Sequence, residues 1–81
     1  MTGDPFTLAG RVALREGRDG PVRGGNPWIF SQAIAQAEPA GLPAGSAVVV
    51  CDATGNVIGC GHYHAAMTIA VRMLEWSDAP N

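Results

Sequence analysis

Val48-Val49-Val50-Cys51-Asp52-Ala53-Thr54-Gly55-Asn56-Val57-Ile58-Gly59-Cys60-Gly61-His62-Tyr63 reads as two strands joined by a tight turn. Asp52 can accept hydrogen bonds from the backbone that follows it, and Gly55 and Asn56 tolerate the positive φ such a turn demands. A third run, Ile69-Ala70-Val71-Arg72, completes a β-meander, with Ala65-Ala66-Met67 as the connection. Strands are expected over residues 46–52, 57–63 and 68–75. Apolar residues of both parities from Ala47 to Cys51 predict a central strand covered on both faces.

Outward from this meander, the N-terminal side alternates. Phe6, Leu8, Gly10, Val12 and Leu14 interleave with Thr7, Ala9, Arg11, Ala13 and Arg15, which predicts a half-buried first strand with its arginines in solvent. From Glu16 to Pro27 the repeated Gly and Pro leave room for one helical turn at most. Asn26-Pro27 imposes an extended or turn geometry, and the β-prone triplet Trp28-Ile29-Phe30 opens a second strand. Ser31 to Glu38 has a capping serine and helix-favouring alanines, so local propensity alone selects helix there. Glu38 to Gly45, with two prolines and two glycines, is a loop into the meander.

Composition narrows the function. Residues 1–81 form one small domain, folded rather than disordered at 47% hydrophobic and 15% charged residues. The longest apolar run, Ala47 to Cys51, is far short of the roughly 20 residues that cross a bilayer, and no basic-then-apolar leader opens the chain. A soluble, cytoplasmic protein without membrane contact is expected. Cys51 and Cys60 on adjacent strands read as buried free thiols rather than a secreted disulfide framework. The net charge of -2 disfavours strong non-specific phosphate binding. Four of the five cations, Arg11, Arg15, Arg18 and Arg23, nevertheless crowd one segment that holds only Glu16 and Asp19 against them.

That segment carries the best binding candidate. Arg15, Arg18 and Arg23, followed by Asn26, Trp28, Phe30 and Ser31, combine guanidinium forks with amide, hydroxyl and aromatic groups, the chemistry that positions phosphates and stacks bases. The competing reading is a solvated loop beside core aromatics, with Trp28 inside. Gly59 and Gly61 share one strand face and admit a close backbone, either a nucleic-acid strand or the chain's own at a barrel corner. Cys60, His62 and His64 share the other face. Same-face neighbours on a flat strand stand about 6 to 7 Å apart, and a closed zinc site needs a fourth ligand, so no metal is assigned. There is no nucleophile elbow around Ser31, Ser46 or Ser77, no carboxylate pair, and no P-loop or G-x-G-x-x-G motif. No catalytic residue and no cofactor site are therefore assigned within the chain.

Three ordered blocks add a resemblance: Gly25-Asn26-Pro27-Trp28-Ile29-Phe30-Ser31, then Ala44-Gly45-Ser46 through Asp52, Gly55, Ile58-Gly59, Gly61 and Tyr63, then Ile69-Ala70-Val71-Arg72-Met73-Leu74. Over residues 10–75 the chain resembles the N-terminal PUA domain of the large-subunit ribosomal RNA cytosine-C5 methyltransferase family. That resemblance implies a mainly β, PUA-like pseudo-barrel of five to six mostly antiparallel strands with a short helix. It also implies one long bent strand over Trp28 to Glu38 in place of the helix that propensity selects. It implies an accessory domain that holds structured RNA, ribosomal RNA in particular, for a catalytic domain in cis that binds S-adenosylmethionine. Neither cysteine here is the family's nucleophile. The alternative is an interdomain packing or protein-interaction module with little RNA affinity of its own.

Overall fold

The computed structural model describes residues 8–76. Six strands run in chain order: β1 (Gly10–Leu14), β2 (Trp28–Phe30), β3 (Ile34–Glu38), β4 (Ser46–Cys51), β5 (Val57–Tyr63) and β6 (Ile69–Trp76). A one-turn helix α1 (Gly20–Arg23) lies between β1 and β2, and a 3-10 turn, Ser31–Ala33, separates β2 from β3. The strands form one sheet in the order β2-β6-β5-β4-β1-β3, antiparallel throughout except for the β1–β4 pair. No helix among the described residues is long and apolar enough to cross a membrane.

The meander forms as the sequence predicts, to within a residue or two at its ends. Its turn is held by the Asp52 carboxylate, whose Oδ1 accepts from the amides of Thr54 and Asn56, each at 2.9 Å, while Gly55 takes φ +96°. Gly59 and Gly61 turn out to be the chain's own corner. A β-carbon on Gly59 would stand 2.8 Å from the Cα of Trp76 and closer still to the Glu75 carbonyl oxygen. One on Gly61 would meet the Arg72 carbonyl in the same way. The groove they leave is filled by β6, not held open for a ligand. Each of the four antiparallel ladders also breaks register once, and such bulges add twist and bend.

Glycine contact and bulges together curl the sheet until its two edge strands, β2 and β3, are joined through Ser31–Ala33. The single bent strand expected over Trp28 to Glu38 is thus two strands, and the helix favoured by propensity shrinks to one 3-10 turn. The reason is that β2 pairs with β6 and β3 with β1, at opposite ends of the sheet. The Ser31 amide closes the first pairing on the Thr68 carbonyl, and the Arg15 amide opens the second on the Ala33 carbonyl. Tertiary pairing overrides local preference here.

Inside the curl lie Val12, Leu14, Val48, Val50, Ile58, Val71 and Met73, joined by Ile29 from β2 and Val22 from α1. Three burial expectations need correcting. The outer face of β4 is only half covered, at Ala47 and Val49, because among the described residues no second layer lies over it. Leu8 precedes β1 and is exposed, as the strand does not extend back to it; the expected continuation to Phe6 lies outside the described residues. Cys51 is buried, but Cys60 is half-buried on the outer face opposite Val49, and both thiols are free.

Substituting Gly61→Ala drives a methyl group into the β6 backbone. We expect a loss of about 1–3 kcal/mol, read as a lower urea midpoint. Gly20→Ala, with open space around it, should leave the midpoint unchanged or slightly raised.

Candidate nucleic-acid interface

The segment between β1 and β2 folds back along the β2 edge and leaves a cleft of about 280 Å³. Arg18, Asn26, Trp28, Phe30 and Gln32 supply most of its polar and aromatic lining, over a floor formed by Val22 and Ile29. Trp28 is 51% exposed and Phe30 47%, whereas Ile29 between them is buried, as the two-residue alternation of a strand requires. Trp28 is therefore a surface residue and not part of the core.

Local chemistry fixes the entrance to this strand. Asn26 Oδ1 accepts from the Trp28 amide at 3.0 Å, and the Pro27 carbonyl accepts from the Met73 amide at 2.7 Å. Ser31 is exposed at the far end of β2, next to the cleft residues Phe30 and Gln32. Arg15 reaches the same region from β1, its Nε donating to the Gln32 carbonyl at 3.1 Å. Of the residues singled out by sequence, Arg18, Asn26 and Trp28 line one cleft, while Arg15 is joined to the cleft residue Gln32 by a hydrogen bond and Ser31 adjoins it along the chain.

Arg23 does not join them. Its guanidinium donates to Asp19 and to Asp52, each at 2.6 Å, and so ties α1 to the β4–β5 turn. The hydrogen bond from Arg23 holds the Asp19 carboxyl below the ordinary aspartate range. Asp52 is pushed down to about 2, first by the Thr54 hydroxyl, then by the amides of Asn56 and Thr54, and lastly by Arg23. A second tether comes from β6, where Trp76 Nε1 donates to the Val22 carbonyl at 2.6 Å. One of the expected phosphate ligands is thus a structural cation that positions the loop carrying the others.

One cation gains a place that short-range sequence patterns do not give. Arg72 on β6 stands directly opposite Trp28 on β2, and His62 on β5 stands opposite Arg72. Val71 and Ile29, the next pair along, point inward, so Trp28, Arg72 and His62 form a row on the outer face. Only the pairing of β2 with β6 reveals this, and the two segments lie far apart in the chain. Among the described residues, no carboxylate lies within ion-pair distance of Arg15, Arg18 or Arg72. Among the same residues, no group of three or more His, Cys, Asp or Glu is placed to hold a metal ion.

The fold and the cleft can be set beside known proteins. Residues 12–76 match a family model described as a PUA-like domain. The protein named ribosomal RNA large subunit methyltransferase I, from Erwinia tasmaniensis, is 30% identical over 68 residues. That alignment covers 84% of this chain but 17% of the relative, so the chain spans a small part of the protein it matches.

The two shifted carboxyls set an acid limit. Because the folded state lowers the pKa of Asp52 and Asp19, it binds protons more weakly than the unfolded chain. The stability this confers is complete above the ordinary value of 3.8 and is lost as pH falls through the lowered values, about 2 in the case of Asp52. Thermal melts should give a midpoint insensitive to these two groups from pH 7 to 5 and falling modestly through them below pH 4. Asp52→Ala should melt lower at neutral pH and show a shallower acid limb.

Proposed function

Because the chain belongs to the PUA-like domain family, we propose that it is the RNA-binding accessory domain of a ribosomal RNA methyltransferase. The parent enzyme acts on a cytosine C5 with S-adenosylmethionine as methyl donor, and this domain orients structured RNA for a catalytic domain in cis. The observation that carries the proposal is Arg18 in one cleft with an exposed Trp28, and Arg15 bonded to the cleft residue Gln32, both arginines without carboxylate partners among the described residues. Guanidinium groups without carboxylate partners can bind phosphates, and an exposed indole near them can stack on a base. The name of the relative supports the choice of ribosomal RNA. The domain supplies position, and the chemistry belongs to the rest of the enzyme.

A different surface favours a second, compatible role. Leu8, Val57 and Trp76 are exposed and line a shallow depression of about 210 Å³ with Val49 and Cys60. An apolar patch of this kind suits packing against the catalytic domain. If interdomain packing were the only role, the isolated chain would ignore RNA. Nuclear magnetic resonance titration separates the two, since RNA should shift Arg15 to Ser31 and the catalytic domain should shift Leu8, Val57 and Trp76.

Binding of the 81-residue chain to a ribosomal RNA hairpin should weaken with salt, with a slope of log K against log salt near -2 to -3 for about three phosphate contacts. The double substitution Arg15→Gln and Arg18→Gln should flatten that slope by about 1.5 to 2. Arg23→Gln should act mainly on thermal stability. Affinity unchanged by the double substitution would remove the proposal.

A further inference from the structure

We propose that the RNA segment gripped by this domain is unpaired, with a base stacked on Trp28 and the flanking backbone carried across the sheet to Arg72. The inference rests on the RNA-binding function proposed above and concerns which form of RNA that site takes.

Two large aromatics stand exposed on a three-residue edge strand, Trp28 and Phe30, both lining the cleft. Neither has a structural task that requires exposure, because the strand is anchored by buried Ile29 and by main-chain bonds to β6. In a base-paired helix the bases are stacked on one another, and an edge-on protein surface meets phosphates and sugars instead. Flat aromatic faces are useful to a strand whose bases are free, and each base stacked on such a face contributes binding that is largely independent of sequence.

The charge pattern agrees with a strand that passes over Trp28. Arg18 lies on the cleft side of the indole and Arg72 on the sheet side. His62 continues the row beyond Arg72, and Ala47 on β4, opposite His62, ends it with a small side chain. Directly opposed residues on paired strands place their β-carbons about 4.5–5.5 Å apart, so the Arg72 guanidinium has the length to lie alongside the indole. Of the acidic residues nearest this path, Asp19 and Asp52 are held by Arg23. Glu16 is exposed on the loop, and Glu75 pairs with Cys60, two positions along β5 from His62 on the outer face. The result is a cation, an aromatic face and a second cation in series, which matches phosphate, base and phosphate along one strand.

The test compares a short mixed-sequence RNA, single-stranded, with the same strand annealed to its complement, using the full chain and its variants. The single strand should bind at least about tenfold tighter than the duplex. Trp28→Ala should remove about tenfold of that affinity, with duplex binding unchanged and Trp28→Phe restoring most of the loss. Arg72→Gln should lower the salt slope for the single strand by about 0.7. Equal binding of duplex and single strand, or a Trp28→Ala variant with full affinity for the single strand, overturns the proposal. If Arg18→Gln weakens binding while Arg72→Gln leaves affinity and slope untouched, the path across the sheet is wrong although RNA binding stands. If the wild-type chain binds neither RNA, the RNA-binding function itself fails.

Discussion

The contact on which the architecture depends is that of the β6 backbone with the two alternate glycines of β5. Gly59 and Gly61 have no side chains to hold the strands apart, so the carbonyls of Glu75 and Arg72 lie where β-carbons would otherwise be. This allows a sheet of short strands to curl tightly enough to enclose a core built mainly of valines, with Leu14 and Ile29 as its largest fully buried members. The same curl brings β2 against β6. Trp28 and Arg72, remote in sequence, become neighbours on the outer face through a constraint located on the opposite side of β6.

A second constraint sets the loop that forms the cleft. α1 is one turn long, too short to be stable alone, and is held from outside itself. Val22 enters the core, its carbonyl accepts from Trp76, and Arg23 bridges two carboxylates. With these tethers in place, Arg18 and Asn26 stand at fixed positions around the cleft. A net charge of -2 therefore coexists with a locally cationic edge. Two carboxylates are engaged by one arginine, and the arginines beside the aromatics are left without carboxylate partners among the described residues.

Local physics made the meander legible in sequence. The period-two pattern, the Asp52 turn and the alternate glycines each report on neighbours a few residues away, and the strands fall close to where they were expected. The glycines were readable as a sign of close approach, but not as to whose backbone would approach. Non-local pairing hid the rest. Ser31 to Glu38 carries a helix-favouring composition, and only the demand that β2 and β3 lie at opposite sheet edges makes it a turn and a strand. Arg23 looked equivalent to Arg15 and Arg18 because nothing in its immediate sequence announces Asp52, 29 residues away. Arg72 looked isolated for the converse reason.

An edge strand with two exposed aromatics is ordinarily a site for unwanted pairing with other chains. In this fold the edge is shielded by means other than burial. Along β2 the main-chain bonds to β6 come from odd-numbered positions, Pro27 and Ser31 among them, so the Trp28 amide points outward. The Asn26 side chain occupies that amide and withdraws it from any incoming strand. The ladder is only three residues long before the 3-10 turn ends it, and Arg15 and Arg18 flank it with positive charge. Main-chain recognition is thus discouraged while the aromatic faces remain open. A surface that refuses β-pairing yet presents indole, phenyl and guanidinium groups suits a ligand that is flat, anionic and without a peptide backbone, which is the combination a nucleic acid offers.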